Sequence, residues 1–328
     1  MNLGLSLSLH SGGKKRSALP TLTGIAYNGG TPAASDQCDT DGGQPFTLTG
    51  TNFLAGAAAA FGGTAATSVV VVNDTTITCV SPAHAVGTVN VTVTTSGGTA
   101  TLTGGAVYWD PTADATIKGW WNINPTTCGV AVGSAVASVA DSSSAGYALP
   151  QATPASQPIL RQDAGGYYLE FDGDDDFLLK ASTSHDAAKT IFCVWDDDGS
   201  DDIASVFACD PDYLPNGLMI TLPGPNILAD WSGSSGPVAG RNASAREVYC
   251  VRYATSSTHI YQSSLTPVSI ASGHGYATTK VGAGRRGMAS RSAKGKWYGG
   301  CVFNSDADAA TIAKAMRHYS RKNGVTIS

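Results

Sequence analysis

Tyr167-Tyr-Leu-Glu-Phe-Asp-Gly-Asp-Asp-Asp-Phe-Leu-Leu179 alternates apolar and polar side chains on either side of Asp172-Gly173, the pattern of two half-buried strands hinged on a tight turn. Its surroundings speak for sheet as well. Charged residues make up 14% of the chain and 39 glycines lie among Thr, Ser, Ala and Val, the usage of short strands joined by turns. The expected class is all-β, and 328 residues leave room for two domains that each bury a core. Helix is expected once, over 306–323. There the chain opens on Asp306, spaces Ile312, Ala315, Met316 and Tyr319 along one face, and closes on Lys322 before Gly324.

Leu169-Glu-Phe-Asp-Gly-Asp-Asp-Asp-Phe177, with the downstream strand Trp297-Tyr-Gly-Gly-Cys-Val-Phe-Asn304 and the helix ending at His318-Tyr319 and Gly324, resembles the concanavalin A-like (laminin-G, jelly-roll lectin) domains. The resemblance implies a jelly-roll sandwich over 115–328. Upstream, 20–109 is a string of short strands with turns every eight to twelve residues, as in a small β-sandwich. Four pieces follow in order: Gly42-Gly-Gln-Pro-Phe-Thr-Leu-Thr-Gly-Thr-Asn-Phe53, Phe61-Gly-Gly63, Thr75-Thr-Ile-Thr-Cys-Val-Ser-Pro82, and Val91-Thr-Val-Thr-Thr-Ser-Gly-Gly98. Together they resemble an IPT/TIG immunoglobulin-like domain. Such domains are spacers or interaction modules, and some bind DNA. That use needs basic loops, and between Pro20 and Trp109 there is no Lys or Arg.

Residues 1–19 read as an arm. Leu3, Leu5, Leu7 and Leu9 line one face of an extended strand, and Ser11-Gly-Gly-Lys-Lys-Arg-Ser17 is a flexible tether behind them. A ribbon of this kind needs a sheet edge or groove to lie in. A partner protein is expected to supply it, the alternative being the chain's own immunoglobulin-like domain.

Glycoside hydrolases built on jelly rolls use a pair of carboxylates, commonly glutamates closely spaced on one strand. Of 25 acidic residues only Glu170 and Glu247 are glutamates, and their separation forbids that motif. No catalytic residue is assigned and the chain is expected not to be an enzyme. Asp172, Asp174, Asp175 and Asp176 are expected to form a turn, an aspartate acid–base pair being the alternative. Asp196-Asp-Asp-Gly-Ser-Asp-Asp202 concentrates carboxylates that suit calcium, with Asp196, Asp198 and Asp201 as the ligands. A solvated acidic loop is the competing reading, and no other cofactor is implied. Trp120, Trp195 and Trp297 lie inside strand patterns and are expected in the core. Trp231, with Tyr213, is the candidate glycan-stacking surface. His185, His259, His274 and His318 show no metal or catalytic spacing and are expected as surface or strand residues. The seven cysteines form no C-x-x-C pair and are expected as buried thiols, Cys38 and Cys79 being the one pair worth testing as a disulfide.

A net charge of −5 offers nothing to nucleic acid, and no apolar run reaches membrane-spanning length. The basic residues follow the Leu-rich segment instead of preceding it, so no signal peptide is expected and folding in a cytoplasm is. The arrangement of docking arm, immunoglobulin-like spacer and lectin-like module resembles that of tailed-phage appendage and capsid-decoration proteins, which implies a structural and adhesion protein of a virion, a tail fibre or a head decoration, assembled in the bacterial host cytoplasm. It would be a homo-oligomer that docks on other virion proteins by its arm and binds host surface polysaccharide. The alternative is a bacterial cell-envelope carbohydrate-binding protein or glycoside hydrolase.

Overall fold

The computed structural model describes residues 17–29, 36–180, 190–197, 204–209, 218–222, 226–230, 239–240, 245–254, 257–270, 281–284 and 293–328. The chain divides into two compact units, Met1–Asn28 with Ala34–Tyr108, and Gly29–Ala33 with Trp109–Ser328. Both are built on sheet, as the composition predicts.

In the first unit, Thr21–Tyr27, Pro45–Thr51, Thr76–Val80 and Thr67–Asn73 form a four-stranded sheet in that spatial order. Gln37–Asp39, Gly98–Trp109, Gly87–Thr95, Ala58–Phe61 and Thr64–Ala65 form a second sheet of five strands. Alternation within each strand turns Phe46, Leu48 and Ile77 of the one sheet and Phe61, Val91, Val93 and Tyr108 of the other into a shared core with no solvent exposure. Cys38 and Cys79 both lie in this core as free thiols. The pairing left open by the sequence is not made, and burial pushes the Cys79 thiol up to about 12.

In the second unit an eight-stranded sheet runs Ile159–Asp163, Gly166–Asp172, Lys294–Phe303, Thr190–Asp197, Arg246–Ala254, Ser257–Gln262 and Val268–Ile270, with Ile117–Asn122 also paired to Lys294–Phe303. A six-stranded sheet runs Leu178–Lys180, Val281–Ala283, Ala204–Cys209, Leu218–Leu222, Asn226–Asp230 and Ala239–Gly240. Leu169, Phe171, Ile191, Trp195, Tyr249 and Trp297 from the first sheet share a core with Leu178 and Ala283 from the second. On the opposite face of the eight-stranded sheet, Phe192, Val194, Val248, Cys250 and Tyr298 pack with Ile312, Ala315, Met316 and Tyr319 of the helix Ala309–Asn323. Apolar side chains therefore occupy both faces of Thr190–Asp197, which reads as a continuous apolar run in the sequence.

Two expectations need correction. The segment 167–179 is not a hairpin. Gly166–Asp172 pairs with Ile159–Asp163 and Lys294–Phe303, whereas Leu178–Lys180 pairs with Val281–Ala283 in the other sheet. Asp172–Phe177 is thus a corner at which the chain changes sheets. Alternation survives this, because Leu169, Phe171 and Leu178 meet in one core from its two walls. His318 is not a surface residue either. It is 2% exposed, with its ring edge-on to Trp109 and Trp120 at 5.8 and 6.0 Å. A short helix at Pro125–Cys128, capped by Asn124, has no counterpart in the sequence reading.

Candidate functional site

At one end of the eight-stranded sheet the positions on the side of the helix Ala309–Asn323 change from apolar to charged on four adjacent strands. Two residues along from Tyr168, Tyr298, Val194 and Val248 stand Glu170, Lys296, Asp196 and Arg246. Strand register makes them a row: Glu170 faces Lys296, Lys296 faces Asp196, and Asp196 faces Arg246. The signs alternate along it.

Each charge is held. Arg161 Nε donates to Glu170 Oε2 at 2.9 Å, and Lys296 Nζ donates to Asp196 Oδ2 at 3.3 Å. Arg246 Nη2 donates to Asp163 Oδ2 at 2.8 Å and to the Tyr298 hydroxyl at 2.6 Å, and Tyr298 donates to the same Asp163 oxygen at 2.7 Å. Arg246 Nη1 reaches the carbonyl of Asn323 at 2.7 Å and so ties the last turn of the helix to the row. Burial and the Asp163 carboxylate hold the Tyr298 phenol well above its usual range, which keeps it a donor. The guanidinium lies 4.0 Å from the Tyr298 ring centre and Lys296 Nζ lies 5.4 Å from that of Tyr168. Both ring faces carry a cation of the protein's own. Three cations, Arg161, Lys296 and Arg246, balance three carboxylates, Glu170, Asp196 and Asp163.

The Asp172–Phe177 corner adjoins this row, with Asp172 opposite Lys294 on the neighbouring strand. It gathers Asp172, Asp175 and Asp176, one carboxylate oxygen from each lying within 4.8 Å of the others. Asp176 is buried and accepts from the Asp172 amide at 3.1 Å; Ser156 Oγ donates to Asp175 at 2.7 Å. Burial, then the charges of Asp172, Asp175 and Glu170, push the Asp176 carboxyl up to about 6. The Asp172 side chain also accepts from the Asp174 amide at 2.8 Å, so Asp172 and Asp176 brace the corner from within.

Glu247 takes no part in the row. It is 4% exposed, faces Trp195 across the strands, and accepts from Gln262 Nε2. Two strands separate Gly166–Asp172 from Arg246–Ala254, so the two glutamates are no closer to forming a pair in space than in sequence. Of the residues proposed from sequence, Asp196 stands in the row, bonded to Lys296. Asp198, Asp201, Tyr213, Trp231 and the arm residues Leu3, Leu5, Leu7 and Leu9 lie outside the described residues. Trp120, Trp195 and Trp297 are in the core, as expected.

Residues 33–108 match the IPT/TIG domain family, and the chain contains such a domain. No curated protein matches the chain. Among solved structures, it is similar to an arabinofuranosidase complexed with arabinofuranosyl-α-1,2-xylobiose, at 15% identity and a TM-score of 0.46 over 58% of this chain and 51% of that one. Domain 4 of AbnA, a GH43 extracellular arabinanase from Geobacillus stearothermophilus, in complex with arabinotriose, is similar at 8% identity and a TM-score of 0.46, over 62% of this chain and 98% of that one. Trypanosoma rangeli sialidase in complex with sialic acid is similar at 10% identity and a TM-score of 0.47, over 84% and 43%. The chain thus spans about half the length of the arabinofuranosidase. The expectation of a non-enzyme is corrected: it rested on the spacing of Glu170 and Glu247, which is no ground for excluding a glycoside hydrolase when Asp172, Asp175 and Asp176 gather carboxylates at the corner.

Proposed function

We propose that 109–328 is a carbohydrate-binding unit whose ligand, a neutral polysaccharide, lies across the charged end of the eight-stranded sheet. The observation that carries this is the row Glu170, Lys296, Asp196, Arg246, in which donors and acceptors alternate over four strands and the charges cancel. Strands stand ~4.8 Å apart, so the row extends about 14 Å, long enough to meet several hydroxyls of an extended polyol. A charged ligand would meet a charge of its own sign at every second position. With Tyr168 and Tyr298 covered by Lys296 and Arg246, binding rests on hydrogen bonds to the row and not on ring stacking.

This takes up the cell-envelope reading of the sequence in preference to the virion one, whose appendage partners nothing in the row or the corner addresses. Affinity electrophoresis against neutral arabinans and xylans, with sialylated and sulfated glycans beside them, tests it. Neutral polymers are expected to retard the chain. Glu170→Gln and Lys296→Met are each expected to weaken retention about tenfold, the loss of one charge-assisted bond of roughly 1.5 kcal/mol. Retention that survives both substitutions, or that occurs only with anionic glycans, overturns the proposal.

A hydrolytic version of the same reading is favoured by one observation. Asp176, whose carboxyl burial pushes up to about 6, has an oxygen within 4.8 Å of one from Asp172 and one from Asp175, so a carboxyl able to hold a proton stands beside two others. Release of reducing ends from a bound glycan, abolished by Asp175→Asn, is the result that would establish it; binding without release leaves a lectin.

A further inference from the structure

The four-stranded sheet of the first unit ends on Thr67–Asn73, which pairs with Thr76–Val80 on one side and, among the described residues, with no strand on the other. Open edges in natural sheets are usually defended by charge, proline, bulges or cover. Thr67-Ser-Val-Val-Val-Val-Asn73 has no charge and no proline, and its defence is confined to two irregularities against Thr76–Val80, between Thr67 and Val70 and between Val71 and Asn73. Val70 and Val72 are 55% and 58% exposed, and Val69 and Val71 pack only in part against the core beneath them. An edge with these properties is a template for one more strand.

The chain carries a segment that fits. Leu3–Leu9 is as long as Thr67–Asn73 and places its four leucines at period two. The tether behind it ends at the right place. Ser96 Oγ donates to Ser17 at 3.3 Å and Asn52 donates to the Leu19 carbonyl at 2.9 Å. Thr21 then pairs with Thr51, Thr49 with Thr76, and Thr76 with Asn73, so Ser17 stands at the Asn73 end of the sheet. A strand beyond Thr67–Asn73 would lie four spacings, about 19 Å, from Thr21–Tyr27. The eight steps from Leu9 to Ser17 reach at most about 26–29 Å. Leu9 beside Asn73 is within that span, whereas Leu9 beside Thr67 would stretch the tether to its limit. The direction is therefore parallel.

We propose that Leu3–Leu9 adds to Thr67–Asn73 of the same chain as a parallel fifth strand, with its leucines turned inward beside Val69 and Val71. Hydrogen–deuterium exchange on the full chain and on a chain lacking residues 1–9 tests this. The amides of Thr67–Asn73 are expected to exchange at least tenfold faster after the deletion, with Pro45–Thr51 unchanged. Leu5→Asp with Leu7→Asp in the full-length chain is expected to reproduce the effect, and light scattering to give a monomer throughout. Equal exchange at Thr67–Asn73 in all three chains overturns the proposal. So does an oligomer that dissociates on deletion, which would mean that the strand serves a second copy, or protection that appears only when another protein is added.

Discussion

Asp176 is the one carboxyl of the acidic corner that has been taken out of water, and its ionisation works against folding. Its pKa is about 6 in the folded chain, against an ordinary carboxylate value near 4. A carboxyl that holds its proton more tightly when folded lowers stability above pH ~6. That penalty is relieved as pH falls from about 6 towards 4, where the unfolded chain protonates as well. Asp176→Asn keeps an oxygen for the Asp172 amide and removes the charge. It is expected to raise stability at pH 7.5 by about 1–2 kcal/mol, or ~2–6 °C in Tm, and to change little at pH 4. Thermal melts of both chains at the two pH values check it. The sequence distinguishes none of the four corner aspartates from the others. Only the chain's passage between sheets sorts them, leaving Asp172, Asp174 and Asp175 exposed and Asp176 inside.

Lys294–Phe303 is hydrogen-bonded along both edges, and its glycines allow the close approach. A Cβ on Gly300 would lie 2.3 Å from the Phe192 carbonyl oxygen, and one on Gly299 would lie 2.4 Å from that of Trp121 at a φ of +126°. Gly300→Ala is expected to cost about 2–3 kcal/mol, read as a lowered urea midpoint at unchanged slope. The helix Ala309–Asn323 is more forgiving. Asp308→Ala, which removes the cap on the Thr311 amide, is expected to cost about 1 kcal/mol by the same assay. The two elements also differ in how far they can be read from sequence. The helix is written in local signals, an acidic start, a 3.6-residue period and a glycine stop, and it forms within three residues of its expected start. The pairing of Gly166–Asp172 is decided by a strand more than a hundred residues downstream, so alternation reveals the strand and its buried face but not its neighbours. The candidate site is hidden for the same reason: the sequence singles out Asp196, as a calcium ligand, and Glu170, as one of two glutamates, but only register sets Glu170, Asp196, Arg246 and Lys296 side by side.

Across the whole molecule, composition and turn spacing were enough for an all-β class and for the immunoglobulin-like segment, whose motifs are contiguous. The beginning of the second unit was harder to place. Trp109, the last residue of a strand in the first unit's pattern, is 4% exposed and packs with Trp120, His318 and Tyr319 in the second unit's core. Asp110 caps the following turn through the Thr112 amide. A fragment beginning at 109 is therefore expected to be about 3 kcal/mol more stable than one beginning at 115, measured by chemical denaturation of the two. The central position of Lys294–Phe303 also sets a timetable for synthesis. The immunoglobulin-like unit has all its strands once Trp109 is made and can close while translation continues. Ile117–Asn122, by contrast, waits for its partner while on the order of 180 residues are added, ~10–40 s at the ribosome's pace. For that interval the nascent chain presents unpaired apolar strands to its surroundings. A message truncated before codon 294 would yield a folded amino-terminal unit joined to a tail that holdase chaperones and proteases would recognise as unfinished.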